Sequence, residues 1–292
     1  MLQDLPFGRL ENEYNPVPPV ASDRVICFRD GTVLVSRLKN EALVLPSVAQ
    51  VRQWRGGWEA WFPDGLQYAF RLQDRNYYLW LGPAGDCPDG EYGFVPVRQL
   101  RQSLSRKVCY AVMTGWHLYN WYRSSRFCGR CGQKTHHDTV ERMMRCPHCG
   151  NMIFPRINPA VIVGVTDGDR IVLTKYAGRG YVQYALIAGF TEIGETLEQT
   201  VQREVLEEVG LRVKNIRYYK SQPWGIDGNV LMGFFCDLDG EDTFSIDEKE
   251  LALAQWHHRT ALPVEDDGYS LTREMIRVFG EGKEPKQKEV QT

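Results

Sequence analysis

The sequence predicts a mixed α+β chain in three parts: a β-rich N-terminal domain, a short cysteine-bearing segment and a C-terminal α/β module. Three observations carry this reading. Residues 22 to 82 hold short β-branched and aromatic runs between turn signals. Four cysteines between 128 and 149 recur as two CxxC pairs in a polar stretch. Beyond residue 157, strand-like runs surround one amphipathic, glutamate-rich segment. The 292 residues suit about two domains at roughly 100–200 residues each. With 43% hydrophobic and 25% charged residues the chain is globular rather than disordered, and a net charge of -2 excludes a strongly basic surface overall.

The N-terminal domain, residues 1–123, contains the strand-like runs "RVICF", "TVLVS", "AWF", "YAFRL" and "YYLWL", parted by turns such as "RDGT" and "FPDGL". From 97 to 123, Leu100, Leu104, Val108, Val112, Trp116 and Tyr119 recur at spacings of three and four, which predicts one amphipathic helix linking this domain to the next. The first residues lack a basic region followed by an apolar run. No stretch approaches the ~18 apolar residues of a membrane span. The chain is therefore expected to have no membrane association, and the eight cysteines, scattered apart from Cys128 to Cys149, suggest a reducing cytoplasm.

The segment 124–156 is too short and polar to fold by burial of apolar surface alone. Cys128, Cys131, Cys146 and Cys149 form CxxC, fourteen residues, CxxC, a spacing that lets two turns present four thiolates tetrahedrally to one Zn²⁺. The alternatives are two disulfides or four unconnected thiols. His148 lies within the second pair, but four thiolates already close the site, and a closed site has no position for a reacting water. The zinc is therefore structural. Such ribbons also bind nucleic acid, and Arg126, Arg130, Lys134, Arg142 and Arg145 keep a non-catalytic nucleic-acid-binding module as an alternative reading.

In the C-terminal module, 157–280, "AVIVGVTDGDRIVLTKY" reads as two strands about a turn and "YALIAGF" as a third. Residues 230–238 and 252–258 read as further strands, "SLTREMIRVFGEG" as a closing helix, and 281–292 as a frayed tail. Thr196 followed by Gln199 resembles a capping box and Gly210 a helix end, so 197–209 form about three and a half turns. Glu204, Glu207 and Glu208 fall in one arc beside the apolar stripe Val201, Val205 and Val209. Residues 189 to 211 hold six glutamates and no lysine. A solvated acidic face with Arg203 paired to Glu207 is one reading. A site for Mg²⁺ or Mn²⁺, hard cations that bridge carboxylates to substrate phosphates, is the other.

"GFTEIGETLEQTVQREVLEEVGL" resembles the Nudix box, G-x5-E-x7-R-E-U-x-E-E-x-G-U with U aliphatic, at every fixed position from Gly189 and Glu195 through Arg203, Glu204, Glu207 and Glu208 to Leu211. The resemblance implies an α/β/α sandwich that hydrolyses nucleoside diphosphate derivatives with Mg²⁺ or Mn²⁺. It implies Glu204 and Glu208 as main metal ligands, Glu207 as third ligand or base, and Glu195 with Arg203 as a brace for the loop.

The four-cysteine ribbon just before this module, "FPRINPAVI" after it, and "SQPW" at 221 to 224 make the chain similar to the NAD(H) pyrophosphatase family over most of residues 100 to 260. The resemblance implies cleavage of NADH or NAD⁺ to a nicotinamide mononucleotide and AMP, removal of NAD caps from RNA, and a homodimer. It implies Phe154 and Phe190 sandwiching a base, Glu141, Gln222, Pro223 and Trp224 contacting substrate, and the Ala188 carbonyl and Glu250 as further metal ligands. The chain departs from the family's usual SQPWPFPxS with "SQPWGIDGN". Gly225 and Gly228 are expected to loosen that turn, Asp227 to add negative charge, and another substrate such as ADP-ribose becomes the alternative.

Overall fold

The computed structural model describes residues 1–6, 8–36, 43–54, 65–83, 85, 91–102, 105–178 and 183–286. The expected strand "AWF", residue Leu104 and the end of the tail lie outside them. Chain contacts divide the protein into two compact units. One comprises Leu2–Arg156 with Trp224–Gly228, the other Met1, Ile157–Pro223 and Asn229–Thr292. No helix among the described residues is long and apolar enough to cross a membrane.

The N-terminal unit is built on a six-stranded sheet of β1 (Leu10–Glu11), β2 (Arg24–Arg29), β3 (Thr32–Ser36), β4 (Leu66–Leu72), β5 (Arg75–Trp80) and β6 (Tyr92–Pro96), in the order β1-β4-β5-β2-β3-β6. Helix α1 (Val48–Gln53) is capped by Ser47. The single helix expected over 97–123 is instead a 3-10 helix, Val97–Gln102, followed by α2, Arg106–Ser124. The physical reason is Ser105, whose extended backbone and side chain, accepting from the Val108 amide, start a new helix within the apolar periodicity. α2 lies close on the sheet at Gly115, where a Cβ would stand 2.7 Å from Ile26 Cδ1. Beside it Trp116 packs edge-on against Phe28 at 5.0 Å.

The cysteine segment forms a small sheet of β7 (His136–His137), β8 (Met144–Arg145) and β9 (Met152–Ile153). Such two-residue strands bury too little to hold themselves.

In the second unit β10 (Asn158–Asp167) is central. It pairs in parallel with β14 (Asn229–Leu238) and antiparallel with β11 (Arg170–Tyr176) and β12 (Ile187–Phe190), while β13 (Val213–Trp224) and β15 (Leu251–His258) form the edges. Because side chains alternate along a strand, β10 feeds two cores. Val161, Val163 and Val165 pack with Val201, Val205 and Val209 of α3 (Leu197–Val209), whereas Ile162 packs with Met275, Ile276 and Phe279 of α4 (Leu271–Gly280). This is the helix-sheet-helix sandwich. Each α3 valine is fully buried, worth about 1.5–3 kcal/mol by transfer. That burial fixes which face of α3 turns outward.

The stretch "SQPW" closes β13. Its proline is compatible with the place of β13 at the edge of the sheet.

Candidate functional site

Local chemistry places α3. The Thr196 side chain accepts from the Gln199 amide and Gln199 Oε1 from the Thr196 amide, a complete capping box, and Gly210 ends the helix at φ 74°. A Cβ on Gly210 would also meet Ser245 Cβ at 2.7 Å. With the valines turned inward, Glu204 is half-buried, Glu208 is 3% exposed and Glu207 faces outward.

Arg203 organises the loop before the helix. Its Nε donates to Glu195 Oε1 at 2.6 Å and its Nη2 to Glu195 Oε2 at 2.9 Å and to the Phe190 carbonyl at 2.9 Å. Its Nη1 donates to Glu204 Oε1 at 2.7 Å and Glu207 Oε2 at 3.0 Å. All five guanidinium donors are thereby used, which no lysine reproduces. Glu195 Oε2 also accepts from the Glu192 amide and the Thr200 hydroxyl. The brace expected between Glu195 and Arg203 and the pair expected between Arg203 and Glu207 are both present.

The Arg203 guanidinium, with the Glu192 amide, holds the Glu195 carboxyl down at about 2, below its ordinary 4.5. A carboxylate depressed by folding stabilises the fold above its ordinary pKa and loses that contribution as pH falls through the folded value. The melting temperature of wild type is therefore expected to exceed that of Glu195→Gln above pH 4.5, with the gap closing toward pH 2. Thermal scans across that window check it, and a gap that stays constant rejects the brace.

Glu204 behaves in the opposite sense. Burial pushes its carboxyl up against the pull of Arg203, and the like charges of Glu207 and Glu250 add to the rise. Its carboxylate lies against the backbone of β12. A Cβ on Gly189 would fall 1.9 Å from Glu204 Cδ and 2.1 Å from each oxygen, so only glycine leaves room for it.

Glu204, Glu207, Glu208, Asp247 and Glu250 line one cavity of about 270 Å³. Asp247 was not anticipated from sequence. Its amide donates to the Glu208 carbonyl at 3.0 Å and its Oδ1 accepts from the Lys249 amide, which folds "DEKE" back toward α3. That turn brings Glu250, and not Glu248, to the cavity lining. Ala188 sits on β12 opposite Ile162. Five carboxylates lining one cavity offer the hard oxygen donors that a divalent cation takes, and the width of the cavity leaves room for substrate oxygens.

The cysteines converge more tightly. Among the described residues they are the one group of three or more such ligands whose atoms lie within 4.8 Å of one another. Cys128 Sγ is 3.6 Å from Cys149 Sγ, and Cys131 Sγ 3.5 Å from Cys146 Sγ. These separations are far beyond the ~2.05 Å of a disulfide. They match the ~3.75 Å edge of a tetrahedron with 2.3 Å Zn–S bonds. The two turns repeat one pattern. The Gly132 amide donates to the Cys128 carbonyl and the Gly150 amide to the Cys146 carbonyl, with both glycines at positive φ. These residues make the zinc ribbon.

Phe154 and Phe190 are 52% and 53% exposed, which removes core packing as their role. Glu141 is exposed in the ribbon, its amide donating to Asp138 Oδ1. Pro223 is exposed and Trp224 half-buried. Gln222 is fully buried. Its Nε2 donates to the Tyr269 carbonyl and its Oε1 accepts from the Leu271 amide, so it ties the end of β13 to the start of α4.

Both parts of the chain match known families. The NUDIX domain model matches residues 156–279 and the NADH pyrophosphatase zinc ribbon model residues 123–154. The NAD-capped RNA hydrolase NudC of Haemophilus influenzae (strain PittEE) is 35% identical over 74% of this chain and 81% of its own length. The protein of that name from Erwinia tasmaniensis is 39% identical over 61% of this chain and 68% of its own. Among solved structures, a NUDIX hydrolase from Nitrosomonas europaea is 25% identical with a TM-score of 0.47, covering 53% of this chain and 91% of that one. The chain belongs to the Nudix hydrolases, in the group that carries the NADH pyrophosphatase zinc ribbon and includes the NAD-capped RNA hydrolases.

Proposed function

We infer that this protein hydrolyses the pyrophosphate of NADH and NAD⁺ to a nicotinamide mononucleotide and AMP, and removes NAD caps from RNA. The observation that carries the inference is the cavity lined only by carboxylates, with Glu204 seated against Gly189, in a chain that aligns with NAD-capped RNA hydrolases over most of their length. Glu204, Glu207, Glu208 and Glu250, with the Ala188 carbonyl, would hold Mg²⁺ or Mn²⁺. When bound, such ions neutralise the pyrophosphate and favour ionisation of the attacking water. The chain itself fixes the carboxylates: Arg203 and Glu195 hold the loop, and α3 holds its outward face. Water adds to one phosphorus, the bridging P–O bond breaks, and the water's protons pass to product and solvent.

Phe154 and Phe190 offer exposed ring faces suited to stacking a base, Glu141, Pro223 and Trp224 contact substrate, and Gln222 braces the end of β13. The protein works as a cytoplasmic homodimer, with domains at 1–123, 124–156 and 157–280 and a tail at 281–292.

The test is incubation of purified protein with NADH, NAD⁺, ADP-ribose and diadenosine diphosphate, each with Mg²⁺ or Mn²⁺, with products resolved by chromatography. AMP and reduced nicotinamide mononucleotide are expected fastest from NADH, and Glu208→Gln is expected to slow their release about 100-fold or more. Faster turnover of ADP-ribose, or undiminished turnover by that variant, overturns the reading.

A further inference from the structure

The turn after "SQPW" was expected to be loosened by its glycines. It is instead fastened. Gly225 is buried, and a Cβ there would lie 2.1 Å from the Met113 carbonyl oxygen on α2, so the glycine permits close contact with that helix rather than motion. Gly228 closes the turn at φ 74°. Between them Asp227 has both carboxylate oxygens engaged. Its Oδ2 accepts from Trp224 Nε1 at 3.0 Å and its Oδ1 from Arg98 Nη2 at 2.8 Å.

We propose that Asp227 is a positioning residue for substrate recognition, which locks the Trp224 indole in one orientation through its ring N–H while Arg98 and the Gly225 contact hold the carboxylate in place. The proposal rests on the dinucleotide reading above and on Trp224 as a substrate contact. An indole has a single donor. With that donor committed to Asp227, Trp224 meets substrate only through its ring face, as a stacking platform for a flat heterocycle. The charge of Asp227, expected from sequence to face an approaching dinucleotide, is compensated by Arg98. The Arg98 side chain is 76% exposed, so this ion pair orients more than it stabilises.

The test uses the full-length protein with steady-state kinetics and the indole N–H resonance of Trp224, assigned by its disappearance in Trp224→Phe. Asp227→Ala is expected to raise KM for NADH about 5- to 10-fold, with kcat within about twofold, because one solvent-exposed hydrogen bond is lost. It should also shift the indole resonance and speed its exchange with solvent. Asp227→Asn keeps a carbonyl oxygen as acceptor and is expected to restore KM to within about twofold. In the Trp224→Phe background, Asp227→Ala is expected to change nothing further, since the two act as one unit. An equal KM rise in both backgrounds overturns the proposal, as does an unmoved indole resonance in Asp227→Ala. The resonance needs no turnover, so it decides on the lock even where NADH is not hydrolysed, and that failure would count against the dinucleotide reading alone.

Discussion

Gly189→Ala is expected to fold and yet to release AMP from NADH at least about 100-fold more slowly than wild type, since misplacement by about 1 Å at a reacting centre costs on that order. The added methyl would lie 1.9 Å from Glu204 Cδ, far inside contact distance. Either β12 moves away from α3 or the Glu204 carboxylate rotates off its seat and breaks its 2.7 Å bond with Arg203. Strain of this kind costs about 1–3 kcal/mol, a lowering of stability that leaves the domain folded. Circular dichroism and a melting curve establish the fold, and isothermal titration of Mn²⁺ reports whether the site has changed independently of turnover. Weakened Mn²⁺ binding together with slow hydrolysis is the expected pair. Full activity in a folded Gly189→Ala protein would remove Glu204 from the reaction.

Loss of zinc is expected to have the largest structural effect. Residues 124–156 contribute three strands of two residues each and bury only a handful of side chains, whereas structural Zn²⁺ contributes about 10–16 kcal/mol in small zinc modules. Cys131→Ser, or treatment with a mercurial and a chelator, should open the segment to protease between Phe127 and Phe154. Elemental analysis of the untreated protein should give one zinc per chain. A zinc-free segment that stays resistant to protease would mean the ribbon is held by something other than metal. Because the Nudix unit has its own cores above and below its sheet, its melting transition should survive this treatment.

These two sites were legible in the sequence for different reasons. The ribbon was legible because all four of its ligands are cysteines at a short, regular spacing. The α3 helix was legible because its start, end and buried stripe are all written within fifteen residues by Thr196, Gln199, the valines and Gly210. What escaped depends on residues distant in the chain. Asp247 joins the cavity only because a turn folds back onto the end of α3. The burial of Gln222 follows from the arrival of α4, 49 positions later. Strand β13 has no counterpart among the runs read as strands, because its residues pack toward both cores, Val213 and Ile216 on one side and Tyr219 on the other, and so do not alternate cleanly in polarity. Gly225 carried the most misleading signal. Glycine permits both free motion and close packing, and only the Met113 carbonyl decides between them.

Trp224–Gly228 complete a unit whose other residues all precede position 157. A ribosome adding about 5–20 residues per second reaches them seconds after the rest of that unit has emerged. In the interval the Met113 carbonyl of α2 lacks its eventual neighbour and Arg98 its carboxylate, so the first-made part of the protein waits for a late-made piece. Maturation is therefore not a simple march from one end to the other: the N-terminal unit is finished only when about half of the Nudix unit has been synthesised, with Asp247, Glu250 and α4 still to come.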